Sequence, residues 1–130
     1  MIRVLVAEDA TVMRQTLVAL LGLEADIEVA VAVAAGDKVV PAALEHRPDV
    51  AVLDVGMPGL DGISAAGQLA VLLPGCRVLI LTGMAAPGTV AAALRAGVSG
   101  YLLKDGQASE LIAAVRAVAK GERVIDTRLA

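Results

Sequence analysis

Aromatic residues are almost absent from this chain, which has no Trp and no Phe and a single Tyr, Tyr101. The core must therefore be aliphatic, and a cofactor that stacks on aromatic rings would find little to stack on. Cysteine is equally scarce, since Cys76 stands alone and cannot form an internal disulfide. A lone thiol fits a reducing compartment, so we expect a cytoplasmic protein and assign Cys76 no role.

Long apolar runs are also lacking. The longest uncharged stretch, Val78 to Leu94, is broken by Gly and Pro and falls short of the ~20 residues that a membrane span needs. The amino terminus carries no signal-peptide pattern. Net charge is −3 with scattered basic residues, which excludes an obvious nucleic-acid surface. We expect neither membrane association nor DNA binding by these residues.

Hydrophobic residues make up 58% of the 130 residues, enough for one folded domain and too many for a disordered chain. Short runs rich in Val, Ile and Leu, without polar alternation, predict strands buried on both faces of a parallel sheet. The predicted strands are Arg3–Ala7, Ile27–Ala34, Val50–Leu53, Val78–Leu81 and Gly100–Leu103. Amphipathic stretches between and after them predict helices over Thr11–Leu23, Ser64–Leu73, Val90–Ala96 and Ser109–Lys120, with a shorter one that ends near His46.

Glycine and proline mark the predicted helix ends. Pro41 is tolerated only in a first helical turn, which places the start of the second helix close to it. Gly97 and Gly121 suit the residue after a helix. The last ten residues, GERVIDTRLA, lose the helical pattern and are predicted to be a tail. The whole pattern is that of an α/β domain with helices on both faces of the sheet.

Polar side chains follow four of the five predicted strands. Glu8 and Asp9 come after the first strand, Asp54 after the third, Thr82 after the fourth and Lys104 after the fifth. The carboxyl ends of parallel strands lie along one edge, where α/β proteins bind ligands. We therefore expect three carboxylates, a hydroxyl and an ammonium to meet in one site.

Each of these residues also has a purely structural interpretation. Glu8 and Asp9 could cap the first helix, and Asp61, followed by Gly, is more typical of a turn or a cap than of a ligand. Thr82 or Lys104 alone could simply begin a loop. The combination indicates a binding site more strongly than any single residue does, because crowded carboxylates repel one another unless cations are present.

Lys104 supplies one positive charge, and a hard divalent cation would supply more. Mg²⁺ takes one or two carboxylates, keeps waters and binds phosphoryl oxygens. A carboxylate can also act as the nucleophile and become an aspartyl phosphate, while a lysine and a hydroxyl hold the phosphoryl oxygens. The residue set therefore favours phosphoryl chemistry.

Four motifs carry a resemblance to a known family: VLVAED (Val4–Asp9), VLDVGMPGLDG (Val52–Gly62), LILTG (Leu79–Gly83) and AGVSGYLLKD (Ala96–Asp105). Together they resemble the receiver domain of two-component response regulators. The later motifs most resemble the NarL/LuxR-type subfamily, and within it actinobacterial regulators related to DesR. The resemblance implies a flavodoxin-like, CheY-like fold with a five-stranded parallel sheet in the order 2-1-3-4-5.

The resemblance also implies roles for the acidic residues. Asp54 would accept a phosphoryl group from a phosphohistidine on a sensor histidine kinase. Asp9, Asp54 and the backbone carbonyl of Gly56 would ligate Mg²⁺, and Glu8 would act mainly through an ordered water. Met57-Pro58 would stiffen the turn behind Asp54.

Three further side chains complete the implied site. Thr82 would donate its hydroxyl to the phosphoryl group, and Lys104 would pair with another of its oxygens. Tyr101 would be a switch that follows Thr82 and remodels the surface of the fourth and fifth helices; the alternative is a half-buried residue with its hydroxyl in water. Apart from these three, Met84, two residues after Thr82, is expected to cover part of the site.

At the level of the whole protein, the resemblance implies a regulator and not a conventional enzyme, one that catalyses only its own phosphorylation and slow dephosphorylation. The receiver domain would span residues 1–121, and residues 122–130 would begin a linker to a helix-turn-helix DNA-binding domain absent from this chain. Phosphorylation would drive homodimers, often through the first and fifth helices; Val18 and Leu21 are candidate contacts but could equally be ordinary core residues.

Three rival interpretations remain. A phosphatase of the haloacid-dehalogenase type needs a second Asp two residues after the nucleophile, where this chain has Gly56. A flavodoxin-like cofactor binder needs a phosphate loop rich in Gly, Ser and Thr after the first strand, where this chain has EDATVMR. A receiver that is never phosphorylated could act only as an interaction module, although the full set of acids, Thr82 and Lys104 argues against it.

Overall fold

The computed structural model describes residues 1–83 and 86–129, so Met84 and its predicted covering role lie outside the described residues. Within these ranges the strands are β1 (Ile2–Ala7), β2 (Ile27–Val33), β3 (Val50–Leu53), β4 (Arg77–Thr82), β5 (Gly100–Leu103) and β6 (Val124–Ile125). The helices are α1 (Thr11–Gly22), α2 (Val39–His46), α3 (Gly62–Leu72), α4 (Pro87–Arg95) and α5 (Ala108–Ala119). Single 3₁₀ turns cover Gly36–Lys38 and Thr127–Leu129. None of the described helices has the length and apolarity to cross a membrane.

The strands form one sheet in the order β2-β1-β3-β4-β5-β6, and every pairing is parallel. The predicted order of the first five strands is confirmed. The sheet is one strand wider than predicted because Val124 and Ile125 pair with Gly100 and Tyr101. Two residues are too few to show a strand pattern, so the sequence indicated only a tail there.

Two apolar cores lie on opposite faces of the sheet, which explains why the strands lack polar alternation. Ala51 and Leu53 of β3 face the core under α2, α3 and α4, whereas Val50 and Val52 face the core under α1 and α5. Leu21 of α1 is fully buried in this second core, so it is not available as the outer dimer contact suggested by the sequence.

Glycine and proline stand at the helix ends as predicted, but α3 and α4 both begin earlier than expected, α3 at Gly62 in place of Ser64. Pro41 lies in the first turn of α2, and Gly97 and Gly121 take φ values of 93° and 91° just after α4 and α5. Helix α4 begins at Pro87, three residues before the predicted start at Val90. Proline is favoured in the first turn because its missing N–H would have no helical partner there.

Gly62, the first residue of α3, lies directly against the backbone behind Asp54. A Cβ placed on Gly62 would approach the carbonyl oxygen of Asp54 to 1.9 Å, which no side chain could tolerate without backbone movement. The amide of Gly62 also donates to the carbonyl of Val55 at 2.9 Å. The start of α3 can therefore close on the end of β3 only because residue 62 is glycine.

We predict that Gly62→Ala lowers the free energy of unfolding by at least the ~1–3 kcal/mol typical of overpacking. Gly67 provides a matched control in the same helix, because a Cβ there meets nothing within 4 Å. Gly67→Ala should stabilise the protein by about 0.5–1 kcal/mol, since glycine is a poor helix residue. Urea denaturation measures both changes, and equal effects of the two substitutions would contradict the close approach.

Asp126 holds the carboxyl-terminal segment to the sheet and is only 4% exposed. Its carboxylate accepts hydrogen bonds from the amide of Leu103 at 3.1 Å and from Nε and Nη2 of Arg128 at 3.0 and 2.9 Å. The Arg128 guanidinium, helped by the backbone amides of Leu103 and Arg128 and opposed by burial, holds the pKa of Asp126 well below its ordinary value. The folded state therefore stabilises the charged form of Asp126.

A pH dependence follows from the lowered pKa of Asp126. The stabilisation is present above the unfolded pKa of about 3.9 and is lost as the pH falls toward the lower folded value. Asp126→Asn should therefore be less stable than the wild type at neutral pH, and this difference should shrink as the pH is lowered below about 4. Urea denaturation across pH measures it; a difference that stays constant with pH would contradict the account.

Candidate functional site

Backbone hydrogen bonds bring the carboxyl ends of four strands level at one edge of the sheet. The amide of Asp54 donates to the carbonyl of Ala7 at 3.1 Å, which ties the end of β3 to the end of β1. The amide of Lys104 donates to the carbonyl of Thr82 at 2.9 Å, which ties the end of β5 to the end of β4. The predicted site residues therefore arise from separate segments but share one edge.

Three carboxylates gather at this edge as predicted. One oxygen each from Glu8, Asp9 and Asp54 lies within 4.8 Å of the other two. Glu8 is 1% exposed and Asp54 is 9% exposed, whereas Asp9 is open to solvent. The cluster is thus buried at its base and accessible from the side of Asp9.

Lys104 is the positive charge of the cluster. Its Nζ donates to Oδ2 of Asp54 at 2.8 Å and also contacts Oε1 of Glu8. Burial by itself would lower the pKa of Lys104, but the hydrogen bonds and charges of Asp54 and Glu8 outweigh it, so its pKa lies above the ordinary value. One ammonium thus bridges the acids that follow β1 and β3.

Glu8 also has the structural role that the sequence left open. Its Oε2 accepts from the amide of Ala10 at 3.0 Å, just before α1 begins, while its backbone carbonyl accepts from Arg14 at 2.9 Å. One carboxylate oxygen of Glu8 therefore supports the start of the helix, and the other faces Lys104. Glu8 thus contacts both the amide of the residue before α1 and the ammonium of Lys104, while its action on a cation through a water stays a prediction.

The turn after Asp54 is held at several points. Oδ1 of Asp54 accepts from the amide of Val55 at 2.7 Å, which orients the carboxylate. The carbonyl of Pro58 accepts from the amide of Gly36 at 2.9 Å, so the turn is anchored to the segment before α2. Asp61 caps α3 by accepting from the amide of Ser64 at 2.9 Å, as the sequence indicated.

Gly56 lies exposed in this turn, two residues after Asp54. A Cβ built on it meets nothing within 4 Å, so the space beside Asp54 is open on that side. The residue offers no carboxylic acid at the position where the phosphatase interpretation needs one. Its carbonyl remains a predicted ligand.

Thr82 and Tyr101 are both enclosed. Thr82 ends β4 and is 1% exposed, and Tyr101 lies on the neighbouring strand with no exposed surface. The alternative prediction of a half-buried tyrosine with its hydroxyl in water is therefore wrong. Burial first, and then the charge of Asp54, raises the pKa of Tyr101, which keeps its hydroxyl protonated at neutral pH.

The donor set fits a hard divalent cation. Every candidate ligand is an oxygen, and three carboxylates set against one ammonium leave two negative charges of the cluster uncompensated. Mg²⁺ prefers one or two carboxylates with retained waters, and the exposed side of the cluster at Asp9 leaves room for such waters. The predicted set of acids is brought together, while Asp126 and Arg128, which hold the neighbouring strand, were missed as part of a tail.

The fold and this edge together define an α/β protein of the CheY-like class, with an acidic cluster at the carboxyl ends of its strands. Residues 4–116 match the model of the response regulator receiver domain. The chain belongs to this family, that of the receiver domains of two-component response regulators.

Relatives refine this assignment. The chain is 41% identical over 124 residues to the transcriptional regulatory protein DesR of Bacillus subtilis, covering 95% of this chain and 61% of DesR. It is 41% identical over 133 residues to the DNA-binding transcriptional activator DevR/DosR of Mycobacterium tuberculosis, covering 100% of this chain and 60% of that protein. The chain thus spans about three fifths of the length of these curated relatives.

Solved structures agree. The signal receiver domain of the response regulator NarL from Mycobacterium tuberculosis superposes with a TM-score of 0.90 at 35% identity, covering 93% of this chain and 98% of that one. The predicted resemblance to the NarL/LuxR-type subfamily is confirmed by this structure and by the curated relatives.

We predict that Lys104→Met destabilises the protein, because it leaves the buried carboxylate of Glu8 without its counter-charge. The side chain of Lys104 is 25% exposed, so we expect a loss near the lower end of the ~3–5 kcal/mol seen when a buried ion pair is broken. Lys120→Met, at an exposed position after α5, is the control and should change stability by less than about 0.5 kcal/mol. Similar losses in both variants by thermal denaturation would contradict the bridging role.

Proposed function

We propose that this domain accepts a phosphoryl group on Asp54 from a phosphohistidine of a sensor histidine kinase, in the presence of Mg²⁺. The observation that carries the proposal is the cluster itself: Asp54 lies beside two further carboxylates and within hydrogen-bond distance of Lys104. Family membership supports it, because it supplies the reaction class that the geometry alone leaves open.

The chemistry assigns each side chain a task. A carboxylate oxygen of Asp54 attacks phosphorus, the phosphorus–nitrogen bond of the phosphohistidine breaks, and a mixed anhydride forms. Lys104, already 2.8 Å from Asp54, pairs with a phosphoryl oxygen, and Thr82 donates its hydroxyl to another. Because positioning and charge stabilisation dominate phosphoryl transfer, this prearranged ammonium is the main contribution of the protein.

Asp9, Asp54 and the carbonyl of Gly56 would hold the cation, and Glu8 would act through a water. Bound Mg²⁺ would neutralise charge on the transferred group and on the acids. Glu8 is less suited to direct ligation, because its two oxygens already face Lys104 and the amide of Ala10. Asp9 is better suited, because it is exposed beside the buried acids.

We propose that the signal leaves the site through Thr82 and Tyr101. Phosphorylation adds about −1.5 to −2 charge and strong acceptor oxygens, which draw the Thr82 hydroxyl toward Asp54. Tyr101 fills the neighbouring space on β5, and the surface of α4 and α5 shifts between two packings. The full enclosure of Tyr101 supports this coupling, since a buried ring cannot move without displacing its neighbours.

The output we propose is control of transcription by a homodimer, with DNA contacts made by a separate domain. Support comes from the relatives, which are described as a transcriptional regulatory protein and a DNA-binding transcriptional activator and are longer than this chain. The domain would be a cytoplasmic regulator and would catalyse only its own phosphoryl transfer and slow aspartyl-phosphate hydrolysis.

The test is intact-protein mass after incubation with acetyl phosphate and Mg²⁺. We expect one added phosphoryl group on the wild type and none on Asp54→Asn. Asp61→Asn is a control from the same turn, because asparagine also serves as an N-cap and the helix should remain intact. This control should be labelled like the wild type.

Two results would contradict the assignment. Labelling that persists in Asp54→Asn would place the acceptor elsewhere. Labelling that survives removal of divalent cations by a chelator would show that phosphorylation does not need a cation at the acidic cluster. A folded wild type that takes up no phosphoryl group at all would instead favour the interaction-module interpretation.

A further inference from the structure

The turn that carries Lys104 is held on its outer side by two residues of the carboxyl-terminal segment. The carboxylate of Asp126 accepts from the amide of Leu103 at 3.1 Å, one residue before Lys104. Nη1 of Arg128 donates to the carboxylate of Asp105 at 2.7 Å, one residue after it. Asp126 and Arg128, here called the carboxyl-terminal clamp, thus contact both sequence neighbours of the lysine.

The carboxylate of Asp126 supplies a hydrogen-bond acceptor to β5 beyond the end of the short strand β6. The amide of Asp126 donates to the carbonyl of Tyr101 at 2.8 Å, the last backbone bond between the β6 side and β5. After Asp126 the chain turns into a 3₁₀ helix, in which the carbonyl of Asp126 accepts from the amide of Leu129 at 2.9 Å. The side chain of Asp126 accepts from the amide of Leu103, where an unpaired amide would otherwise be left at the sheet edge.

The clamp is built to stay in this position. Asp126 is 4% exposed, and its charge is met by the Nε, Nη2 and backbone amide of Arg128. Hydrogen bonds between such charged partners are stronger than neutral ones and have defined geometry.

Lys104 needs such support because its own side chain is flexible. A lysine has a four-carbon stem with many rotamers, so the place of its ammonium depends on where the backbone holds the stem. On one side the amide of Lys104 is fixed to the carbonyl of Thr82 on β4. On the other side, the clamp fixes the flanking residues of the turn.

We propose that Asp126, held by Arg128, is a positioning residue for Lys104 and sets how fast Asp54 is phosphorylated. It touches neither Asp54 nor the transferred group and acts only through the β5 backbone. The inference rests on the proposed function and extends it to the carboxyl-terminal segment, which the sequence pattern predicted to be a tail. This segment lies beyond residues 4–116, the part of the chain that matches the family model.

The test is a double-mutant cycle on the rate of Asp54 phosphorylation by acetyl phosphate at saturating Mg²⁺. Asp126→Ala should lower this rate about ten-fold, because small displacements of a catalytic group cost one to two orders of magnitude. In a Lys104→Ala background, Asp126→Ala should cause no further loss, since the group it positions is already gone. Asp126→Asn, which keeps an acceptor for the amide of Leu103, should recover part of the rate.

Arg116→Ala is the matched control for a lost arginine ion pair. Arg116 bridges Glu24 and Asp26 and is 40% exposed, against 43% for Arg128, but its partners lie on the α1–β2 connection and not beside Lys104. Arg116→Ala should leave the phosphorylation rate unchanged, whereas Arg128→Ala should lower it. If Asp126→Ala fails to fold, Arg128→Ala carries the same cycle with Lys104→Ala.

The outcomes separate the two proposals. A wild-type rate in folded Asp126→Ala, or a loss equally large in the Lys104→Ala background, would overturn the positioning role. Absence of labelling in the wild type would overturn the proposed function, and the inference would then be judged by the NMR chemical shift of Lys104 Cε. That shift should change in Asp126→Ala and not in Arg116→Ala; an unchanged shift would end the inference independently.

Discussion

One ion-pair arrangement organises this domain: the ammonium of Lys104 lies between Asp54, at 2.8 Å, and the buried Glu8, and compensates part of a three-carboxylate cluster. Without that charge, three acids from two loops would repel one another at the edge of the sheet. With it, the cluster still carries excess negative charge, which suits a divalent cation. The same arrangement places a cation where a phosphoryl group on Asp54 would need one.

The rest of the fold serves to bring these groups together. A parallel sheet aligns the ends of β1, β3, β4 and β5 along one edge, and backbone hydrogen bonds such as that from Lys104 to Thr82 set their relative height. The close approach of Gly62 and the cap of Asp61 hold the turn behind Asp54. The short β6 then supports the turn of Lys104 from the opposite side, so the lysine is placed by both of its neighbouring strands.

The sequence could predict features that depend on neighbouring residues, such as apolar runs and the polar residues that follow them. Five strands were found because they are apolar runs, and the site because acids, Thr82 and Lys104 follow those runs directly. Strand β6 was missed because a two-residue strand has no period, and the role of Asp126 depends on an amide 23 residues away. The full enclosure of Tyr101 was not predicted, because the burial of a single ring depends on elements that are distant in sequence.

The central claim is that the acids at this edge form one cation site, and anomalous scattering from a crystal soaked in Mn²⁺ tests it most directly. Mn²⁺ takes oxygen ligands as Mg²⁺ does and can be located by its own signal. The account predicts a single strong peak between the carboxylates of Asp9 and Asp54, on the exposed side of Glu8. A soaked crystal with no peak there, or with its strongest peak at another group of acids, would contradict the account.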